Sequence, residues 1–193
     1  ATLILIVLSF SGFLLFYLGA PLEWAGMFTF TAIKASGQQW VFVASDHQYW
    51  RLLTPIFLHF GWMHIVFNSL WLWQLGGKIE LRLGPWLLLA LVVVLGIGSN
   101  TAQYWAAGPS LFGGMSGVVF GLLGFSFIYS RLLVVSELAV PNGIALFMVG
   151  WMVFCMLAPT ELLGFGSIAN AAHLGGLVGG CLLGLLAVGW RKL

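Results

Sequence analysis

The sequence predicts an all-α, polytopic membrane protein: one domain, residues 1–193, built as a six-helix transmembrane bundle with an interfacial loop after the first span. Three observations carry this. Only 6% of the 193 residues are charged and 61% are hydrophobic, with a mean hydropathy of +1.06, whereas a soluble domain carries about a quarter charged residues. Six apolar stretches have roughly the length a bilayer crossing demands, about 20 residues: 2–20, 60–77, 86–106, 113–130, 142–158 and 168–190. Helix-breaking residues fall between them, at Pro21, Gly84-Pro85, Gly108-Pro109, Pro141 and Pro159.

Taken in order, the first apolar run, Thr2 to Leu18, has no basic leader and no small-residue cleavage site, so it reads as a membrane helix rather than a signal peptide. The connection at 21–58 mixes Trp24, Phe28, Trp40, Phe42, Tyr49 and Trp50 with Glu23, Lys34, Asp46 and Arg51. It is too interrupted to span and too aromatic to float free, which predicts short amphipathic segments lying in the interface. The ten tryptophans suit anchoring at both membrane faces. The later spans follow one another with short connections, with no internal repeat and no low-complexity linker. Lys78, Arg82, Arg131, Arg191 and Lys192 share one side of this topology, against Lys34 and Arg51 on the other. The positive-inside rule therefore puts both termini in the cytoplasm. A net charge of +2 gives no case for nucleic acid. Cys155 and Cys181 sit in apolar runs and read as small core residues rather than a disulfide.

Polar residues inside membrane helices are costly, so each calls for a reason. His59, His64, Asn68 and Ser69 cluster at the start of the second span. Asn100 and Gln103 lie near the end of the third, Ser116 opens the fourth, and Asn170 and His173 open the sixth. With alternating spans, all of these fall in the external half of the bilayer.

The stretch Phe112-Gly113-Gly114-Met115-Ser116-Gly117 reads as a loop that dips into the protein and turns into a helix. Such backbone is tolerated at membrane depth only where it lines a cavity or packs on protein, and the helix start then offers free N–H groups to an anion. Ser116 is either the nucleophile of this site or a plain N-cap. His173 carries Gly176 and Gly180 on its own helical face, and the fourth span offers Gly117, Gly121 and Gly124. Close packing of these two helices brings His173 within reach of Ser116, the geometry a general base needs. The acids Glu23, Asp46, Glu80, Glu137 and Glu161 all lie in loops or at span ends. A Ser–His dyad is therefore expected rather than a triad, with Phe120 one turn after Ser116 packing the imidazole. His64 and Asn68, at i and i+4, share a face and can join the Ser116 N–H in an oxyanion hole. His59 sits at the mouth of the cavity or holds the interfacial loop.

Trp50-Arg51, the run His59-Phe-Gly-Trp-Met-His64-Ile-Val-Phe-Asn68, Gly76-Gly77-Lys-Ile-Glu80-Leu-Arg82-Leu-Gly84, Gly114-Met-Ser116-Gly117 and Ala172-His173 occur in that order. Together they resemble the rhomboid family of intramembrane serine proteases, over essentially all of the chain after the first span. The resemblance implies Ser116 as nucleophile, His173 as base, and His64, Asn68 and the Ser116 amide as oxyanion hole, supported by Gly114, Gly117, Phe120, His59 and Asn170. It implies a structural role for Trp50 and Arg51 in the external loop, and for Glu80 and Arg82 at the cytoplasmic end of the second span. Phe120 stands where many relatives have Tyr, which keeps ring stacking and removes a hydroxyl contact. The implied setting is the bacterial inner (cell) membrane, with the site opening outward.

The expected partners are the lipid bilayer and transmembrane protein substrates, cut near the external end of their membrane segments. No metal or organic cofactor is implied, and the oligomeric state stays open. Two other readings share these residues: a metalloenzyme with His59, His64 and His173 as zinc ligands, and a transporter with a broken helix at Gly113-Gly114. One further expectation concerns Pro159–Ser167, where Phe165 between Gly164 and Gly166 reads as a lid over the cavity.

Overall fold

The computed structural model describes residues 1–37, 39–44, 46–157 and 168–191. Its α-helices are α1 (Thr2–Tyr17), α2 (Leu22–Gly26), α3 (Trp62–Trp71), α4 (Gly77–Leu83), α5 (Pro85–Ala107), α6 (Ser116–Leu132), α7 (Asn142–Leu157) and α8 (Asn170–Arg191). A π-helical turn, Leu72–Gly76, joins α3 to α4, so the second predicted span runs as one rod. It extends six residues past the predicted end at 77, because Lys78, Glu80 and Arg82 continue the helix beyond the apolar run.

Among the described residues, three helices are long and apolar enough to cross a membrane by length and composition: Pro85–Ala107, Ser136–Leu157 (α7 with the 3-10 turn before it) and Asn170–Arg191. Helices α1 and α6 are apolar but shorter, at 16 and 17 residues. The 21–58 connection departs from an all-α reading. It contains an antiparallel hairpin, β1 (Ala32–Ser36) and β2 (Gln39–Val43), paired from Ala32–Val43 to Ser36–Gln39. The run Trp40-Val-Phe-Val43 is β-branched and aromatic at every position, which favours strand over helix, and Gly37 turns the chain at φ +63°.

Helix α6 is the centre of the bundle. Twelve of its 17 residues are buried, against six of 22 in α8, which packs along it. The two helices run parallel and touch backbone to backbone. A Cβ placed on Gly176 would strike the Gly117 carbonyl, with the carbonyl carbon at 2.8 Å, and one on Gly180 would meet that of Gly121, with its carbon at 2.6 Å. From the other side, a Cβ on Gly124 would stand 2.5 Å from the Leu177 oxygen. Helix α5 closes a third side. Its Leu95 and Ser99 fill the space over Gly121 and Gly117, where an added Cβ would lie 2.6 Å from Leu95 Cδ2 and Ser99 Cβ. Around this contact lies a core of Leu88, Leu91, Leu95, Val118, Leu122 and Phe125.

The sequence expectation of glycine-mediated α6–α8 packing thus holds at the paired positions. It follows that Gly180→Val should destabilise the protein by about 1–3 kcal/mol or more, the cost of forcing volume into a packed contact. Gly189→Ala, which points into open space, should leave stability unchanged or slightly raised. Thermal unfolding of the two variants in one detergent checks this contrast.

Candidate active site

The site begins with a loop that only glycine can form. Gly114 adopts φ +109°, and a Cβ there would lie 2.7 Å from Cε1 of His64 and closer still to Nε2. Gly113 passes the 55–58 backbone so closely that its Cβ would be 2.8 Å from the Pro55 oxygen. Two hydrogen bonds hold the loop down: Gly114 N–H donates to Pro55 O at 3.0 Å, and Met115 N–H donates to His59 Nε2 at 3.3 Å. The chain then enters α6 at Ser116.

Ser116 Oγ lies 2.8 Å from His173 Nε2. No side-chain cap bond is made at the start of α6, where the N-cap position belongs to Met115, so the plain N-cap reading of Ser116 does not describe its hydroxyl. The His173 ring packs on Phe120 with centroids 4.9 Å apart and is buried, at 6% exposure. Its Nδ1 is buried without a hydrogen-bond partner. Among the described residues, then, the imidazole is held by packing and no carboxylate completes a triad.

His59 is fully buried. Its Nδ1 lies 3.1 Å from Phe57 O, and since a carbonyl only accepts, Nδ1 carries the proton and Nε2 is the acceptor for Met115 N–H. The residue therefore fastens the loop that delivers Ser116. The His64 ring stands beside it, centroids 4.8 Å apart, against the Gly114 backbone. Neither ring nitrogen of His64 has a hydrogen-bond partner among the described residues. Asn68 lies one turn further on and is buried; one of its amide protons goes to His64 O at 2.8 Å, which leaves a second. The N–H groups of Ser116, Gly117 and Val118 have no acceptor among the described residues, as expected of a helix start. His59 has both nitrogens engaged and His173 faces Ser116, so the three imidazoles do not share a ligand geometry. Among the described residues no group of three or more His, Cys, Asp or Glu is arranged to hold a metal.

The remaining polar residues anchor the elements. Gln103 Oε1 accepts the Ala172 N–H at 3.2 Å and so satisfies a donor in the first turn of α8, next to His173. Asn100 Nδ2 donates to Leu52 O at 2.9 Å, and Asn170 Nδ2 donates to Cys155 O at 3.0 Å, which ties α8 to α7. In the 21–58 connection, Arg51 is buried and donates to Gly26 O, Thr29 O and Gln48 Oε1 at 2.6, 2.9 and 2.6 Å. Trp50 Nε1 donates to Met27 O at 3.1 Å. At the far end of the bundle, Glu80 Oε2 accepts Thr2 N–H at 2.8 Å and Arg82 lies 3.6 Å from Glu137. Sequence reasoning did not single out Ser99, whose side chain fills the space over Gly117; its spacing of four from Gln103 on an apolar helix was the available signal. The proposed lid, Pro159–Ser167 with Phe165, lies outside the described residues.

Fold and site together define a class: a helical integral membrane protein with a Ser–His pair at the start of a buried, glycine-packed helix. The chain belongs to the rhomboid family, whose Rhomboid domain model matches residues 46–190. It is similar to the rhomboid protease GlpG of Serratia proteamaculans (strain 568), at 44% identity over 143 residues, which is 74% of this chain and 48% of that protein. The rhomboid proteases GlpG of Yersinia pestis (strain Pestoides F) and Yersinia pseudotuberculosis serotype O:3 (strain YPIII) are each 38% identical over 152 residues, 78% of this chain and 51% of theirs. The chain spans about half the length of the curated relatives it matches.

Gly114→Ala should disturb the site without unfolding the bundle. The positive φ costs an alanine of order 1–3 kcal/mol, and the new methyl group displaces His64. We expect labelling of Ser116 by a fluorophosphonate to slow at least tenfold while far-ultraviolet circular dichroism stays unchanged.

Proposed function

We propose that this chain is an intramembrane serine endopeptidase that cleaves transmembrane segments of other membrane proteins near their external end. The observation that carries the reading is the 2.8 Å contact between Ser116 Oγ and His173 Nε2 at the head of a buried helix, in a chain of the rhomboid family. With its proton on Nδ1, His173 accepts the Ser116 proton at Nε2 as Oγ attacks the scissile carbonyl carbon. The imidazolium returns that proton to the leaving amine, and the C–N bond breaks to give an acyl-enzyme. Water then repeats the sequence: His173 takes its proton, the hydroxyl adds to the ester carbon, and Ser116 leaves as the alcohol.

The negative charge on the carbonyl oxygen in each tetrahedral state needs donors aimed at it. The Ser116 N–H and the positive end of α6 supply one set, and His64 and the second Asn68 amide proton supply the rest. Each such donor contributes about two to three decades of rate. Helical carbonyls in a substrate are already hydrogen-bonded, so the segment must unwind to be cut, which favours small and helix-breaking residues around the bond. The membrane arrangement we infer has six spans, with α1, the α3–α4 rod, α5, α6, α7 and α8 crossing in turn. Both termini are cytoplasmic, in the bacterial inner membrane, by the excess of Lys and Arg at the end opposite Ser116.

Ser116→Ala and His173→Ala should each abolish cleavage of a transmembrane substrate, and the double variant should be little worse than either, because nucleophile and base act as a unit. His64→Ala should lower kcat by about a hundredfold with KM nearly constant. Undiminished cleavage by Ser116→Ala in detergent would refute the assignment. A C-terminal reporter read on the external side would overturn the orientation.

A further inference from the structure

At the end of the bundle away from Ser116, the last turn of α6, the 133–141 linker and the first turn of α7 enclose an open cavity of about 620 Å³. Its polar wall is made by Arg131, Ser136 and Asn142, and its apolar wall by Val134, Val140 and Pro141. The Arg131 guanidinium is exposed and has two neighbours. It stacks on Phe127 at 4.2 Å from the ring centroid, and its Nη2 donates to Asn142 Oδ1 at 2.5 Å. One of five guanidinium protons is spent this way, and the others have no partner among the described residues. Beside it, the N–H groups of Ile144 and Ala145 both return to Pro141 O, whereas those of Asn142 and Gly143 have no acceptor among the described residues.

The surroundings are basic. Lys78 Nζ reaches Ala139 O on the linker at 3.4 Å, and Arg191 stacks on Tyr129 of the same end, 5.6 Å from its ring centroid. Glu80 is occupied by Thr2, and Glu137 faces Arg82 and Ser136. Val134, 87% exposed, stands at the rim. In the six-span arrangement proposed above, α6 ends and α7 begins here, which puts the cavity at the level of lipid headgroups. An exposed guanidinium stacked on Phe127, the Asn142 N–H at the start of α7, unpaired among the described residues, and the exposed Val134 match a phosphate ester carried on acyl chains.

We propose that this cavity binds the headgroup phosphate of an anionic phospholipid, with Arg131 as its principal ligand and the acyl chains against Val134 and Val140. The inference rests on the six-span arrangement proposed above but not on the peptidase chemistry, since the cavity shares no residue with the Ser116 pair. The probe is phosphatidylglycerol added to the detergent-solubilised chain, with bound lipid counted by native mass spectrometry. Phosphatidylcholine of the same chains serves as the zwitterionic control, and glycerol 3-phosphate as a soluble competitor. A charge-assisted hydrogen bond to phosphate is worth roughly tenfold in affinity, so Arg131→Gln should weaken phosphatidylglycerol binding at least fivefold. Arg191→Gln, which removes the same charge from the same end but outside the cavity, should weaken it less than twofold. Asn142→Ala, which frees the guanidinium from its tether, gives a second reading if Arg131→Gln fails to fold, and should weaken binding in the same direction. Equal losses in Arg131→Gln and Arg191→Gln would overturn the proposal in favour of a diffuse charge effect. Equal retention of phosphatidylcholine, unchanged binding in Asn142→Ala, or displacement of the lipid by millimolar glycerol 3-phosphate would overturn it too, the last in favour of a soluble phosphate ligand.

Discussion

The backbone contact between α6 and α8 is the constraint on which the rest of the molecule depends. Two helices carrying ordinary side chains pack with axes 8–10 Å apart; here the carbonyls of Gly117 and Gly121 occupy the places where Cβ atoms of Gly176 and Gly180 would stand. Lipid offers little hydrophobic drive for helices to associate, so dispersion contacts and close approach must hold them. The same closeness sets the Ser116–His173 contact. Ser116 precedes Gly117 by one residue and His173 precedes Gly176 by three, so helices locked at the glycines hold hydroxyl and imidazole at 2.8 Å. The stable packing and the Ser116–His173 contact are one geometric fact.

A second constraint is the depth of the Gly113-Gly114 loop. Irregular backbone within a membrane protein has to find partners for its N–H groups, because lipid supplies none. Pro55 O and His59 Nε2 serve here, and His59 is held in turn by the Phe57 carbonyl. The aromatic connection at 21–58 is therefore more than a lid on the bundle. Through Arg51 it is tied to itself, through Asn100 to α5, and through residues 55–59 to the loop that ends in Ser116. A histidine that sequence alone left between two roles becomes the fastener of the loop that leads into Ser116.

Polar residues divide into two groups on this picture. Asn100, Gln103, Arg51 and the Asn170 amide N–H pair with backbone groups that would otherwise lie unpaired in a low-dielectric interior. His64, against Gly114, and the first N–H groups of α6 keep unspent capacity beside Ser116, and Asn68, one turn beyond His64, keeps a second amide proton. Unspent capacity is what a reaction with a transient oxyanion requires, since preorganised donors need no rearrangement as charge develops. The absence of a described partner for His173 Nδ1 fits the same economy: the ring is oriented by Phe120 and by burial rather than by a carboxylate.

Much of this was legible from residue order alone. Because a hydrocarbon layer imposes a minimum run and proline ends it, apolar length and proline punctuation located the helix ends within about three residues, except at the second span, whose charged end runs six residues further. The glycine spacing at 117, 121 and 124 against 176 and 180 announced a close contact, because a period near four repeats on one helical face. The family blocks pointed to Ser116 and His173. What sequence did not decide is what depends on distant pieces meeting. The hairpin at 32–43 was hidden by an aromatic composition that suits strand and interfacial helix alike. The partners of Gln103 and His59 lie 69 and 56 residues away along the chain, and no local pattern encodes such a hydrogen bond. The assignment of Asn68's protons and the tautomer of His59 follow only from which carbonyl stands nearby. Sequence determined which segments are apolar helices and which of them approach closely, since these follow from composition and period; tertiary structure alone decided which polar atoms are spent on holding the fold and which stay free, since that depends on where each backbone donor and acceptor comes to rest.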